Sequence, residues 1–286
     1  MTAIVLIFGV VIGSFLSVCI YRIPLPRLEI EGEDEAARKE REAITIGHPV
    51  RSFCPHCRAT LTWRENIPLL SWLLLRGRCR HCRHPISARY PAVELLSALM
   101  AWLSWYSWGL TPTGVLVYLF CCALIVISFI DYDYYIIPNV ISLPGTALGL
   151  VVALLNQFTG FFGRPVVPDL AGGLLGILIG AGFLLLVSEV YLRIRKREGL
   201  GMGDVKLLAM TGAFFGMEAS IYTIFVGSLL GSVLGIAFIV FRGRTLSHQL
   251  PFGPYLALGT VLYLFGGDHL FVAGIDWLGS LYGAVP

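Results

Sequence analysis

The chain has 286 residues, 56% of them hydrophobic, with 32 glycines, a mean hydropathy of +0.77 and a net charge of +3. An apolar share above the ~45–50% usual for water-soluble domains excludes an ordinary soluble globule, and so small a net charge supplies no basic field for nucleic acid. Seven cysteines are too few for a disulfide-dense scaffold, and four of them stand in two close pairs that read as metal or redox chemistry.

The first apolar run, Ile4 to Ile20, has no basic residue before it and meets Arg22 and Arg27 directly after. A secretory signal has the opposite polarity, so this run reads as a retained transmembrane helix with its N-terminus outside. A polar insert follows. Within it Glu29–Glu42 places ten charges of both signs in fourteen residues, the pattern of a solvated helix laced with i,i+4 pairs. Further apolar stretches near the ~20 residues needed to cross hydrocarbon run over Pro91–Leu110, Thr113–Ile130, Ile136–Asn156, Leu170–Leu192, Ala219–Phe241 and Pro254–Phe271. Val205–Met217, about 13 residues, is either a short span or a re-entrant segment.

Basic residues settle the parity. If Val205–Met217 crosses, 7 of the 8 Lys and Arg outside the long insert fall on the inner side; if it does not, 5 of 8 do, and the positive-inside rule favours the former. The expected fold is an all-α polytopic membrane protein of about eight transmembrane helices, both termini outside. Residues 1–20 form the first helix, 21–90 a cytoplasmic zinc-binding insert between helices one and two, and 91–286 the remaining bundle. No internal repeat is evident.

Cys54-Pro-His-Cys57 and Cys79-Arg-His-Cys82 are separated by 21 residues, close to the spacing of structural zinc sites. Each C-x-x-C turn brings two sulfurs to one ion, and two such turns complete a tetrahedral shell. Arg51, Arg58, Arg76, Arg78, Arg80 and Arg83 offset the negative charge of four thiolates around zinc. A dithiol redox pair is the rival, but it needs a strand–helix context that this short polar segment lacks. With all four ligands from protein there is no open position for chemistry, so the metal is structural. His56, His81 and His84 read as surface histidines, and Cys19, Cys121 and Cys122 as small buried hydrophobes.

Two carboxylates mark the inner face. Asp131, followed closely by Asp133, ends the Thr113–Ile130 run, and Asp204 closes Glu198-Gly-Leu-Gly-Met-Gly-Asp, whose glycines permit close approach or positive φ. Ionisable groups at a membrane edge are functional candidates, and two acids sharing a site can divide base and acid roles in peptide hydrolysis. The plainer alternatives are helix caps or interfacial charges, and a weak phosphate-loop signal, against which Asp204 itself argues. Lys206 is a partner for Asp204 or for a substrate carboxylate. Between Asp131 and Asp133 the residues alone do not choose, although Asp133 suits a supporting or solvated role.

Taken in order, Gly13-Ser-Phe-Leu-Ser-Val-Cys-Ile-Tyr-Arg-Ile-Pro24, the Ser52–Cys82 region, Glu65-Asn-Ile-Pro-Leu-Leu-Ser-Trp72, Ser87-Ala-Arg-Tyr-Pro91 with Glu94, Asp131 to Pro138, Glu198–Lys206 and Pro251-Phe-Gly-Pro254 resemble the bifunctional type IV prepilin peptidases of bacteria, leader peptidases with N-methyltransferase activity. The resemblance covers nearly the whole chain. It implies Asp131 and Asp204 as the catalytic pair and prepilins or pseudopilins with a short basic leader as substrates, cut at the cytoplasmic face of the inner membrane. It further implies S-adenosylmethionine-dependent methylation of the new α-amine, with the cysteine-bearing domain marking the bifunctional type. No methyl-donor site is legible in the residues. Ser17 stands where the family usually has Asn, a departure that bears on methylation and not on cleavage. The competing functions are a proton-coupled transporter using Asp131 and Asp204, a peptidase without the methyltransferase activity, and a zinc-stabilised membrane scaffold.

Overall fold

The computed structural model describes residues 1–28, 34–162, 166–196, 201–242 and 251–267. The helices among them are α1 (Thr2–Arg22), α2 (Glu35–Glu42), α3 (Leu70–Leu74), α4 (Arg89–Trp108), α5 (Pro112–Tyr134), α6 (Asn139–Thr159), α7 (Leu170–Arg195), α8 (Met202–Arg242) and α9 (Gly253–Leu262), with 3-10 turns at Leu25–Arg27 and Trp63–Asn66 and a π turn at Tyr263–Gly267. Extended pairing among the described residues is confined to isolated bridges, Phe53 with Thr60 and Arg78 with Pro85. Among the described residues five helices are long and apolar enough to cross a membrane: α1, α5, α6, α7 and α8 as far as Ala237. The all-helical class expected for the chain is observed; of the eight expected spans, five such helices are found among the described residues, α8 counting once although it is two helices joined at Gly216. The Pro91–Leu110 run is α4, 20 residues long but diluted by Arg89, Glu94 and three serines. Of the Pro254–Phe271 run, α9 and the π turn are described, while its last residues lie outside the described set.

The Val205–Met217 run is a helix distinct from the one that follows it. It is the first limb of α8, which passes through a break at Gly216 with φ 81° and ψ −167°, a conformation glycine adopts without a Cβ clash. That limb of about 14 residues is ~21 Å long at 1.5 Å per residue, short of a ~30 Å hydrocarbon core. Ser220 closes the break, its hydroxyl donating to the carbonyls of Gly176 at 3.0 Å and Gly216 at 3.1 Å.

The chain gathers into two compact units, one comprising Met1–Leu110 and Gly114–Ile130, the other Thr111–Thr113 and Asp131 onward. In the first, α1 and α4 touch backbone to backbone: a Cβ on Gly9 or Gly13 would lie 2.6 Å from the Cα of Ala98 or Glu94, the close approach that small residues four apart allow between membrane helices. At the end of α1 the buried Arg22 donates to the carbonyls of Thr45, Ile46, Pro49 and Arg51 at 2.8–3.5 Å, so its charge is dispersed over four backbone dipoles and fixes residues 45–51. The charged run of the insert forms α2, capped by Asp34 and carrying exposed Arg38–Glu42 and Lys39–Glu35 pairs; residues 29–33 of that run lie outside the described set. In the second unit α8 packs on α6, α7 and α9. Its tightest crossing is with α7, where a Cβ on Gly212 would stand 2.3 Å from the Gly176 carbonyl carbon.

Candidate active site and metal centre

The second unit holds both aspartates. Asp131 lies in the last turn of α5 and Asp204 in the first turn of α8, 6% and 8% exposed. Between α5 and α6 the chain reverses through Tyr135, at φ 56°, whose N–H donates to the Asp131 carbonyl at 2.8 Å. The reversal drives Ile137 into the interior. A Cβ on Gly203 would sit 2.9 Å from the Ile137 Cβ, and one on Gly253 would sit 3.2 Å from its Cδ1 and 2.7 Å from Asp131 Oδ2. Ile137 is therefore the hub against which the residue before Asp204 and the start of α9 both close.

The Gly253 amide donates to Asp131 Oδ2 at 3.0 Å across 122 residues of sequence. Gly203, the neighbour of Asp204, and Gly253, bonded to Asp131, both pack on Ile137, so the structure places the two buried carboxyl groups around the same residue. Asp133 is exposed, in keeping with its solvated reading. Gly203 is helical, serving close packing and not a positive φ; Glu198 and Gly199 lie outside the described residues. Lys206 donates to Asn139 Oδ1 at 2.8 Å, tying α8 to the start of α6, which corrects its assignment as a partner of Asp204. Gly253 had no role in the sequence reading; the only signal for it is its place in Pro251-Phe-Gly-Pro254.

The first unit holds the cysteines. The sulfurs of Cys54, Cys57, Cys79 and Cys82 lie within 4.8 Å of one another, with Cys54 Sγ and Cys82 Sγ 3.9 Å apart. Four sulfurs ~2.3 Å from a central zinc at tetrahedral angles stand about 3.8 Å from each other, so the cluster fits the ion. Two matching loops build it. Arg58 and Arg83, each following the second cysteine of its pair, take φ of 59° and 60°. Their amides donate to the carbonyls of Cys54 and Cys79, while the amides of those cysteines donate to Ala59 and His84. This is a local structural repeat that the sequence reading did not register.

Within the cluster the Cys82 and His81 amides draw the Cys79 thiol down to about 7, against burial. At Cys82 the His84 amide pulls downward, but burial and the Cys57, Cys79 and Cys54 sulfurs outweigh it and push the thiol up to about 11. Four sulfurs so close cannot all ionise without a cation among them. His56, His81 and His84 are exposed as expected, the rings of His56 and His84 stacking at 4.1 Å. Cys19, Cys121 and Cys122 are buried.

Beside this cluster a cavity of about 350 Å³ opens between α1, α4 and the insert. Its lining includes Glu65 and Glu94, 8% and 6% exposed, to which the sequence reading gave no role. It also includes Ser17, whose hydroxyl donates to the Gly13 carbonyl of its own helix at 3.3 Å.

Comparison with known proteins matches one family model to each half of the chain. Residues 7–108 match the bacterial peptidase A24 N-terminal domain and residues 118–236 match the type IV leader peptidase family. The chain is 38% identical over 281 residues to a prepilin leader peptidase/N-methyltransferase of Aeromonas hydrophila, covering 94% of this chain and 91% of that one. It is 33% identical over 280 residues to the protein of that name from Pseudomonas putida, covering 96% and 93%. No solved structure matches it.

Proposed function

Because the chain belongs to the type IV leader peptidase family, and is thus an aspartic peptidase with several membrane-spanning helices, we propose that it removes the leader of prepilins or pseudopilins with Asp131 and Asp204 as its catalytic pair. The observation that carries this reading is the burial of both carboxyl groups at one place, with Ile137 and Gly253 closing around them. One carboxylate takes a proton from water as the water oxygen adds to the scissile carbonyl carbon. The other carboxyl donates its proton to the carbonyl oxygen, which takes up the π electrons of the C=O bond. Collapse of the tetrahedral adduct breaks the C–N bond, and the leaving nitrogen takes up a proton from the pair. No covalent intermediate is needed. We place this site at the cytoplasmic face, in an eight-span topology in which α4, the α9 region and each of the two limbs of α8, the first of them short, cross separately and both termini lie outside.

The reading assigns N-methylation of the freed α-amine, with S-adenosylmethionine as donor, to the cysteine-bearing half, and makes Cys54, Cys57, Cys79 and Cys82 a structural zinc site. The donor supplies an electrophilic methyl carbon. The amine lone pair forms the new N–C bond, the electrons of the breaking C–S bond stay on sulfur, and the nitrogen's extra proton leaves to solvent. The test is conversion of a purified prepilin in detergent by wild type, Asp131→Asn and Asp204→Asn. Each substitution is expected to lower cleavage by about 10⁴-fold or more, on the scale of removing one member of a hydrolytic constellation. Methylation of an already cleaved pilin by the same preparations is expected to persist. Near-normal cleavage by either variant overturns the assignment.

A further inference from the structure

We propose that the cavity between α1, α4 and the insert is the S-adenosylmethionine site, with Glu65 the carboxylate that faces the cationic end of the donor; this rests on the methyltransferase reading above. At about 350 Å³ the space lies in the ~300–1,000 Å³ range of small-molecule sites. Its lining pairs aromatic surfaces, Phe53 and Trp72, with two buried acids, Glu65 and Glu94. That combination suits a ligand carrying both a flat heterocycle and positive charge.

Glu65 is the telling residue. One of its oxygens, Oε2, accepts from the Thr62 amide at 2.8 Å and the Thr62 hydroxyl at 2.7 Å, which locks the side chain. The other, Oε1, is buried and has no hydrogen-bond partner. The His81 imidazole, 3.5 Å away on an exposed side chain, is at ion-pair range without hydrogen-bond geometry. The Thr62 hydroxyl and amide hold the Glu65 carboxyl below the usual carboxylate range, with the His81 and Arg80 charges adding to this, so an ionised oxygen with no hydrogen-bond partner belongs to a residue of the cavity wall. Such a group is costly to bury unless a cation meets it.

The opposite acid is fixed just as firmly. Glu94 Oε2 accepts from the Leu69 amide at 2.7 Å. Leu69 has φ 59° and ψ −52°, and the Leu70 amide donates back to the Pro68 carbonyl at 2.6 Å. This is the rare, strained form of γ-turn, and strain of this kind in a cavity wall is typical of ligand clamps. Arg22, also on the lining, is engaged by backbone carbonyls. Arg80, exposed on the same lining, supplies a guanidinium for the donor's carboxylate.

The experiment measures equilibrium binding of S-adenosylmethionine and of its uncharged-sulfur product, S-adenosylhomocysteine, to the full-length, metal-loaded protein in detergent without any peptide. Wild type, Glu65→Gln and the cavity-filling Ser71→Phe are compared, with metal content and thermal unfolding verifying that each is folded. Glu65→Gln is expected to weaken S-adenosylmethionine binding about tenfold or more, the scale of one charge-assisted contact, and to change S-adenosylhomocysteine binding far less. Ser71→Phe is expected to weaken both. A wild type that binds and methylates while both folded variants bind the donor unchanged overturns the cavity assignment and leaves the methyltransferase reading standing. A wild type that neither binds donor nor methylates a cleaved pilin overturns that reading and the inference with it.

Discussion

Replacing Gly253 by alanine tests how the cleavage site is held together. The new Cβ would stand 2.7 Å from Asp131 Oδ2 and 3.2 Å from its Cγ, whereas carbon–oxygen contacts settle at about 3.3–3.6 Å. The carboxyl must therefore retreat by roughly 0.6–0.9 Å, and the 3.0 Å bond from the Gly253 amide is lost or bent. A hydrogen bond of that kind contributes about 1–3 kcal/mol, or roughly five- to 150-fold in rate, and a misplacement near 1 Å can by itself cost about 10²-fold. A fall of about 10²-fold in kcat/KM for prepilin cleavage is expected, with methylation of a pre-cleaved pilin unchanged. Gly182→Ala is the control, since a Cβ there meets only Leu178 Cδ1 at an ordinary 3.7 Å. Wild-type cleavage by folded Gly253→Ala would refute the claim that this amide and its missing Cβ position Asp131.

The double variant Asp131→Asn/Asp204→Asn should cleave no more slowly than either single variant, because groups acting as a unit are non-additive; kinetics showing multiplied losses would separate their roles. Cys79→Ser should abolish stoichiometric zinc in metal analysis and expose residues 45–88 to proteolysis, and unchanged metal content would sink the four-cysteine site. Gly216→Ala places a Cβ at φ 81° and should cost about 1–3 kcal/mol, seen as a lowered unfolding temperature in detergent; an unchanged transition would show that the break is not needed. Ser17→Asn should alter methyl-donor affinity while leaving cleavage unchanged, since residue 17 lines the cavity; equal donor binding by both proteins would count against that placement.

The parts of this molecule that are legible in its sequence are those whose physics is local. Long apolar runs between charges give α1, α5, α6 and α7 to within a few residues, and two C-x-x-C turns announce a metal cluster because each turn closes on itself. Elements that depend on distant partners are harder to read. Glu218 interrupts hydropathy after Met217, so the sequence suggests two separate segments there, and Gly216 does divide two helices; that both limbs meet α7 at one place, Leu208 and Ser220 each against Gly180, follows only from packing. The closeness of Asp131 to Asp204 needs the Tyr135 reversal, the start of α8 and α9 brought onto Ile137, and without the resemblance the residues do not choose between Asp131 and Asp133. Glu65 ends a Thr-x-x-Glu capping box, a pattern that explains one of its oxygens; that the other is buried beside a cavity follows only from packing. For Lys206 the residues offer Asp204 or a substrate carboxylate, while the fold supplies Asn139, 67 residues away, which no local pattern announces.

The bond from Gly253 to Asp131 also has a bearing on when this enzyme comes alive. Synthesis delivers Asp131 and Asp204 well before Gly253, and at ~5–20 residues per second the interval after Asp204 is roughly 3–10 s. Until the last of these residues emerges, a nascent chain carries both acids without the amide that sets one of them in place. On the proposed two-aspartate assignment, proteolytic competence is thereby deferred until Gly253 has been made.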